Sequence, residues 1–316
     1  MTQQNHEGDL RKALLTGILA NLGVAAAKFV AFFFTRSAAM LAESLHSVAD
    51  SSNQLLLLVG WKRSLRPATE AHPFGYGVER YFWSFVVSVN IFFLGAVFAI
   101  YEGVEKIVHP HAMEHVIYNY LALGLAMLFE GFALSVAWGE FRHWRATQPG
   151  SLWRAMRDAK DLSLPTVIFE DTAALVGLVI ATAGITAAHL THNGIYDGLA
   201  SILIGFVLLS VAWFLARESY SLLLGEAAGR EDRRRIRAIV GEESSVEELV
   251  EMGTLQRGPD SIIVALTLSF RPNMNTAEIG QAVTRLEAKI RADIPEAKHI
   301  FIEVGALRFL AGDPPA

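Results

Sequence analysis

The sequence predicts an all-α bundle of six transmembrane helices followed by a C-terminal α+β domain, on three observations. The chain of 316 residues is 52% hydrophobic and only 19% charged, whereas soluble globular chains carry about a quarter charged residues. Six apolar stretches are long enough to cross a ~30 Å hydrocarbon core, which takes roughly 20 helical residues. Charge is unevenly placed, with 27 of the 59 Asp, Glu, Lys and Arg residues in the last 92. Two domains follow: residues 1–222 in the membrane, and 223–316 as a soluble unit.

The six stretches fall at about 13–35, 39–61, 81–103, 115–138, 164–188 and 195–217. The first, third and sixth are the cleanest. The second and fifth contain ionisable residues and read as the least hydrophobic. Lys and Arg in the connections set the orientation. Arg11 and Lys12 precede the first stretch, Lys62, Arg63, Arg66 and Arg80 lie between the second and third, and Arg142, Arg145, Arg154, Arg157 and Lys160 lie between the fourth and fifth. The opposite side has only Arg36 and Lys106. Both termini are therefore expected in the cytoplasm, with the protein multi-pass in the cell (inner) membrane.

The loop at 139–163, with Trp144, Trp153 and spaced arginines, reads either as an amphipathic segment on the bilayer surface or as a solvated linker. The C-terminal part reads as a helix, two strands, a helix and a strand. EDRRRIRAIV is helical with a charged face, and SIIVALTLSF is a strand preceded by a turn at Gly258-Pro259-Asp260. Ile279, Val283, Leu286 and Ile290 recur at helical spacing, and HIFIEV closes the domain as a strand. One small sheet under two helices is the natural packing. No internal repeat or low-complexity tract is visible.

Composition also excludes. A net charge of −5 with no basic, aromatic-laced patch argues against nucleic-acid binding. There is no cysteine, so disulfides and thiolate metal sites are ruled out, and any metal is held by nitrogen and oxygen. The first ten residues are polar and lack a secretory signal's pattern.

Chemistry concentrates on two of the six stretches. MLAESLHSVADSSNQ places Glu43, His46 and Asp50 on the second helix. His46 and Asp50 are four residues apart and project from one face. PTVIFEDTAALVG places Glu170 and Asp171 on the fifth. An ionised group in hydrocarbon costs several kcal/mol unless it faces an interior partner or a wet cavity, and two acidic helices at one depth repel unless a cation sits between them. Pairing among these groups as helix glue is the bland alternative, but four ionisable groups on two helices exceed what packing needs. Imidazole with two or three carboxylates makes a nitrogen and oxygen site suited to Zn²⁺. Those ligands must be deprotonated to bind, so metal displaces protons.

HSVADSSNQLLLLVGWKRS, HPFGYGVER and YDGLASILIGFVLL together resemble the cation diffusion facilitator family of metal exporters, over the whole chain. The resemblance implies six helices, a ferredoxin-like cytoplasmic domain that forms a homodimer, and transport by exchange with protons rather than enzymatic catalysis. It also implies an HxxxD or DxxxD pair on helix 2 and the same spacing on helix 5. His46 and Asp50 match the first pair. On helix 5 Asp171 matches, but Val167 stands at the other position. Glu170 lies about 60° around the helix from 167 and can swing into that gap, or water can fill the place instead. The Glu-Asp pair resembles a branch with vertebrate mitochondrial and bacterial relatives.

The expected site is thus His46, Asp50, Asp171 and Glu170, with Zn²⁺ as transported substrate, Mn²⁺, Fe²⁺, Co²⁺ and Ni²⁺ open to the same ligands, and no organic cofactor. Two other classes stand beside it: a membrane metal sensor that binds without transporting, and a membrane metalloenzyme, which would need a spare general base. No HExxH is present.

Several lesser candidates have plain readings. His72, with Glu70, Glu79 and Tyr76, reads as a turn before helix 3 rather than a second metal site. His109, His111 and His115, and likewise His189 and His192, read as solvated loops on the outer side. His299 and Glu303 sit on the last strand of a domain expected to dimerise without a strong metal site. Asp197, near Ser201, reads as an acid set against a helix dipole. Glu130, inside the fourth stretch, is an intramembrane acid and a candidate proton relay.

Overall fold

The computed structural model describes residues 22–34, 36, 38–109, 116–146 and 160–305. The chain divides into two compact units, one of Met1–Lys62 with Arg80–Tyr220, the other of Arg63–Glu79 with Ser221–Ala316.

The first unit is helical. Its elements are α1 (Leu22–Phe34), α2 (Ala38–Ser64), α3 (Glu79–Val108), α4 (Val116–Ala146), α5 (Ser163–Thr191) and α6 (Ile195–Leu224). Among the described residues, four helices are long and apolar enough to cross a membrane: α3, α4 over Asn119–Gly139, α5 over Pro165–Thr191, and α6. Their outward residues are large and apolar. Phe93, Leu121, Leu128, Phe132, Val179, Leu203 and Trp213 are all exposed, a surface that suits lipid rather than water.

Two details differ from the sequence expectation. The fifth stretch is not among the least hydrophobic, with a mean hydropathy of 1.9 against 1.8 for the fourth; a long Ala, Val and Leu run beyond its acids outweighs them. The loop expected from 139 begins later, because α4 continues to Ala146. After Gly139, EFRHWRA contains neither Gly nor Pro, and the next breaker is Pro149-Gly150. Residues 147–159 of that segment, with Trp153, fall outside the described residues.

Small residues bring α3 and α6 together. A Cβ on Gly198 would stand 2.7 Å from the Gly103 carbonyl oxygen, and one on Gly103 would stand 2.6 Å from that of Gly198. Ser201 Oγ donates to the Ala99 carbonyl at 3.0 Å, closing the same seam. Close backbone approach through small residues is how helices associate where lipid offers no hydrophobic drive. Gly198→Leu is therefore expected to cost about 1–3 kcal/mol or more of packing, read as a lowered melting temperature in detergent. Gly124→Leu, where a side chain meets open space, should leave that temperature unchanged.

Within α3 the turn Ile91–Val97 is π-helical. Such a turn inserts a residue and reorients what flanks it. Asn90, immediately before it, turns its amide onto α2.

The C-terminal elements follow the predicted order: α7 (Arg230–Glu242), β1 (Val246–Gly258), β2 (Ser261–Phe270), α8 (Thr276–Asp293) and β3 (His299–Val304). The sheet order is β1-β2-β3, with β1 and β2 antiparallel and β2 and β3 parallel. Alternate β2 residues Ile262, Val264, Leu266 and Leu268 pack with Ile236 and Val240 of α7 and Ala282, Leu286 and Ile290 of α8. Asn275 caps α8 by a reciprocal pair of bonds with Glu278. The residues 63–79 belong to this unit. Phe74 lies edge-on to His299 at 5.1 Å between ring centres, and near Phe301 at 6.5 Å.

Candidate metal centre in the helical unit

Positions 46, 50 and 53 of α2 fall along one stripe of the helix, since four and then three more residues return to within about 20° of the starting direction. The backbone of His46 lies on this helix, and its side chain is outside the described set. Asp50 is 5% exposed, Glu170 3% and Asp171 7%. Asp50 lies within electrostatic reach of Glu170, Glu130, Lys28 and Asp171. The acids of α2 and α5 therefore share one buried region.

Polar side chains from α2 and α3 orient Glu170. Asn53 Nδ2 donates to Glu170 Oε1 at 2.8 Å. Asn90 Nδ2 in turn donates to Asn53 Oδ1 at 2.8 Å and to Ser52 Oγ at 2.8 Å. The relay fixes which way the Asn53 amide faces, because its oxygen is engaged by one amide and its nitrogen by the carboxylate. Val167 packs with Phe169 against Ala137 and Ile168 at the contact of α4 and α5. Val167 therefore has an apolar setting, and Glu170 and Asp171 are the acids of α5 in the buried region.

A second charged group completes the neighbourhood. Lys28 Nζ donates to Ser47 Oγ at 2.8 Å and stands 3.7 Å from Glu130 Oε1. Glu130, read from sequence as an intramembrane acid and candidate proton relay, is paired with Lys28. Sequence reasoning passed over Lys28, Asn53 and Asn90. An intramembrane lysine is itself a signal, but in NLGVAAAKFVAFFF the apolar neighbours hide it. Among the described residues no three His, Cys, Asp or Glu side chains stand close enough to hold a metal ion together.

The lesser candidates lie elsewhere. His72 is exposed in a turn, exchanging backbone hydrogen bonds with Thr69 and packing its ring on Tyr76 at 4.5 Å. Gly75 there has φ of 77°, a conformation that glycine adopts without strain. His109 is exposed beside Glu105 at 3.5 Å, while His111 and His115 fall outside the described residues. His189 and His192 have ring centres 6.4 Å apart in exposed positions at the end of α5. Asp197 lies in the first turn of α6, wholly buried. Glu303 accepts a long bond from Thr267 Oγ1 at 3.5 Å.

Residues 14–224 match the family described as cation efflux transmembrane domain. The chain is 26% identical over 314 residues to the proton-coupled zinc antiporter SLC30A9, mitochondrial, of Mus musculus, covering 88% of this chain and 55% of that protein. It is 31% identical over 264 residues to metal tolerance protein C4 of Arabidopsis thaliana, covering 84% and 58%. Against the cation-efflux pump FieF of Shewanella oneidensis, identity is 23% over 274 residues, covering 86% of each. The chain thus spans little more than half the length of the first two relatives. The match over most of its length, on helices that bury acids behind an apolar exterior, makes this chain a member of the cation efflux (cation diffusion facilitator) family, whose members are membrane transporters and not enzymes.

Proposed function

We propose that the protein exports a divalent metal cation, Zn²⁺ foremost, from the cytoplasm in exchange for protons, through a site formed by His46, Asp50, Asp171 and Glu170. The observation that carries this reading is the buried set of carboxylates, Asp50 on α2 with Glu170 and Asp171 on α5, inside helices whose outer faces are apolar. Such a set is stabilised by bound protons or by a cation, which is what an exchange of the two requires. One imidazole among carboxylates favours Zn²⁺ while admitting Mn²⁺, Fe²⁺, Co²⁺ and Ni²⁺, and the names of the mouse and FieF relatives support cation efflux, zinc and proton coupling.

The mechanism is alternating access. Metal binds when the site opens to the cytoplasm, the helices rock, and protons from the far side compete for the same ligands until the metal leaves. The chain crosses the inner membrane six times with both termini in the cytoplasm, the side where its loop arginines and lysines collect. It works as a homodimer joined through the C-terminal domain, which is ferredoxin-like in this reading.

Proton exchange predicts a gradient dependence. In proteoliposomes with the cytoplasmic face outward and the membrane potential clamped, an acidic lumen should drive Zn²⁺ accumulation, and collapsing the gradient should stop it. Accumulation indifferent to the gradient would mean a uniporter or channel. Binding without any flux would favour the alternative reading, a metal sensor that does not transport.

A further inference from the structure

Lys28 is wholly buried and ties three helices together, through its bond to Ser47 on α2 and its charge pair with Glu130 on α4. Stability alone does not select such an arrangement. Replacing a buried ion pair by well-packed apolar residues is often neutral or stabilising, whereas removing one partner alone is strongly destabilising. Lys28 also stands within electrostatic reach of Asp50, so its charge is felt where the metal is proposed to bind. The region holds four carboxylates, Asp50, Glu130, Glu170 and Asp171, against this ammonium. A divalent ion facing all four at full strength would be held too tightly to leave, and a transport site has to release what it binds.

We infer that Lys28 is a tethered internal cation that sets the affinity of the metal site: it neutralises Glu130, keeps the divalent ion on the α2 and α5 carboxylates, and weakens their hold enough for release. The inference rests on the site proposed above. Lys28 does not touch the metal; it is a positioning residue acting by charge through Asp50.

Charge and packing predict different signs. At an interior dielectric far below that of water, adding or removing one unit charge near a divalent ion changes its affinity by about tenfold or more. Lys28→Gln should tighten Zn²⁺ binding by at least about tenfold and lower both KM and kcat, since release slows. Glu130→Gln should weaken binding by a similar factor. The double variant Lys28→Gln/Glu130→Gln should return to within about threefold of the parent, and Lys28→Arg should match it. A merely structural tie would lose affinity in both single variants.

The test is Zn²⁺ titration calorimetry on the full-length protein in detergent, in alkaline buffer where free carboxylates are ionised, with gel filtration to confirm folding and flux in proteoliposomes for KM and kcat. Opposite shifts in the two single variants support the inference; equal weakening or no change in both overturns it. If Lys28→Gln does not survive purification, the double variant beside Glu130→Gln decides: affinity restored to within about threefold of the parent supports the inference, and affinity as weak as that of Glu130→Gln, or unchanged affinity in Glu130→Gln itself, overturns it. Asp50→Ala runs beside them. If it binds Zn²⁺ as the parent does, the site itself is misplaced; if it does not bind while the Lys28 and Glu130 variants are indifferent, the site stands and only the tethered cation falls.

Discussion

Asp50→Ala is expected to abolish Zn²⁺ transport, by more than about a hundredfold, while the protein still elutes as a folded species. Losing a group that merely supports a metal ligand costs about ten- to a hundredfold, and Asp50 is proposed as a ligand itself. It sits nearly buried on α2, facing the region that holds Glu170 and Asp171. Folding should survive because alanine is the best helix former, and because removing one of several neighbouring carboxylates relieves repulsion. His46 sharpens the test. His46→Asp should retain some transport and shift preference toward Mn²⁺, since an all-oxygen site suits harder cations. Wild-type zinc flux in His46→Ala would move the site elsewhere.

Glu170→Gln is expected to reduce Zn²⁺ transport by about tenfold or more. The carboxylate is oriented by Asn53, whose bond to Glu170 Oε1 is 2.8 Å. A glutamine can keep an oxygen for that bond and has the same shape, so the substitution removes charge while leaving packing in place. Val167 offers the complementary experiment. It stands one helical turn before Asp171 and packs beside Ala137, a small residue. Val167→His rebuilds a histidine and aspartate pair at that spacing and should rescue the Glu170→Gln defect in the same vesicle assay. If Glu170→Gln is silent and Asp171→Asn is dead, the site has three protein ligands completed by water, and Glu170 serves packing or proton traffic.

The C-terminal unit was largely legible because its signals are local. The strand Ser261–Phe270 and the helix starting at Thr276 lie where alternation and the 3.6-residue period put them. Each of those patterns spans ten or so residues and is read without knowing what lies opposite. The candidate ligands were legible for a related reason, since an acid within an apolar helix is conspicuous wherever it lies. Asp50 and Glu170 stood out; Lys28 did not, because its neighbours kept the first stretch apolar on average.

By itself the sequence pointed to the cation efflux family, with acids on α2 and α5 and an α+β unit following the helices. Tertiary structure alone decided how those acids are met. Asn53 reaches Glu170 across 117 residues of sequence, Lys28 pairs with Glu130 between α1 and α4, and the π-helical turn after Asn90 sets that amide against α2. The physical reason is range. Helix period and hydropathy come from neighbours within a few turns, whereas the partner of a buried charge is chosen by which helices pack together, and the cost of leaving such a group unpaired is settled only there.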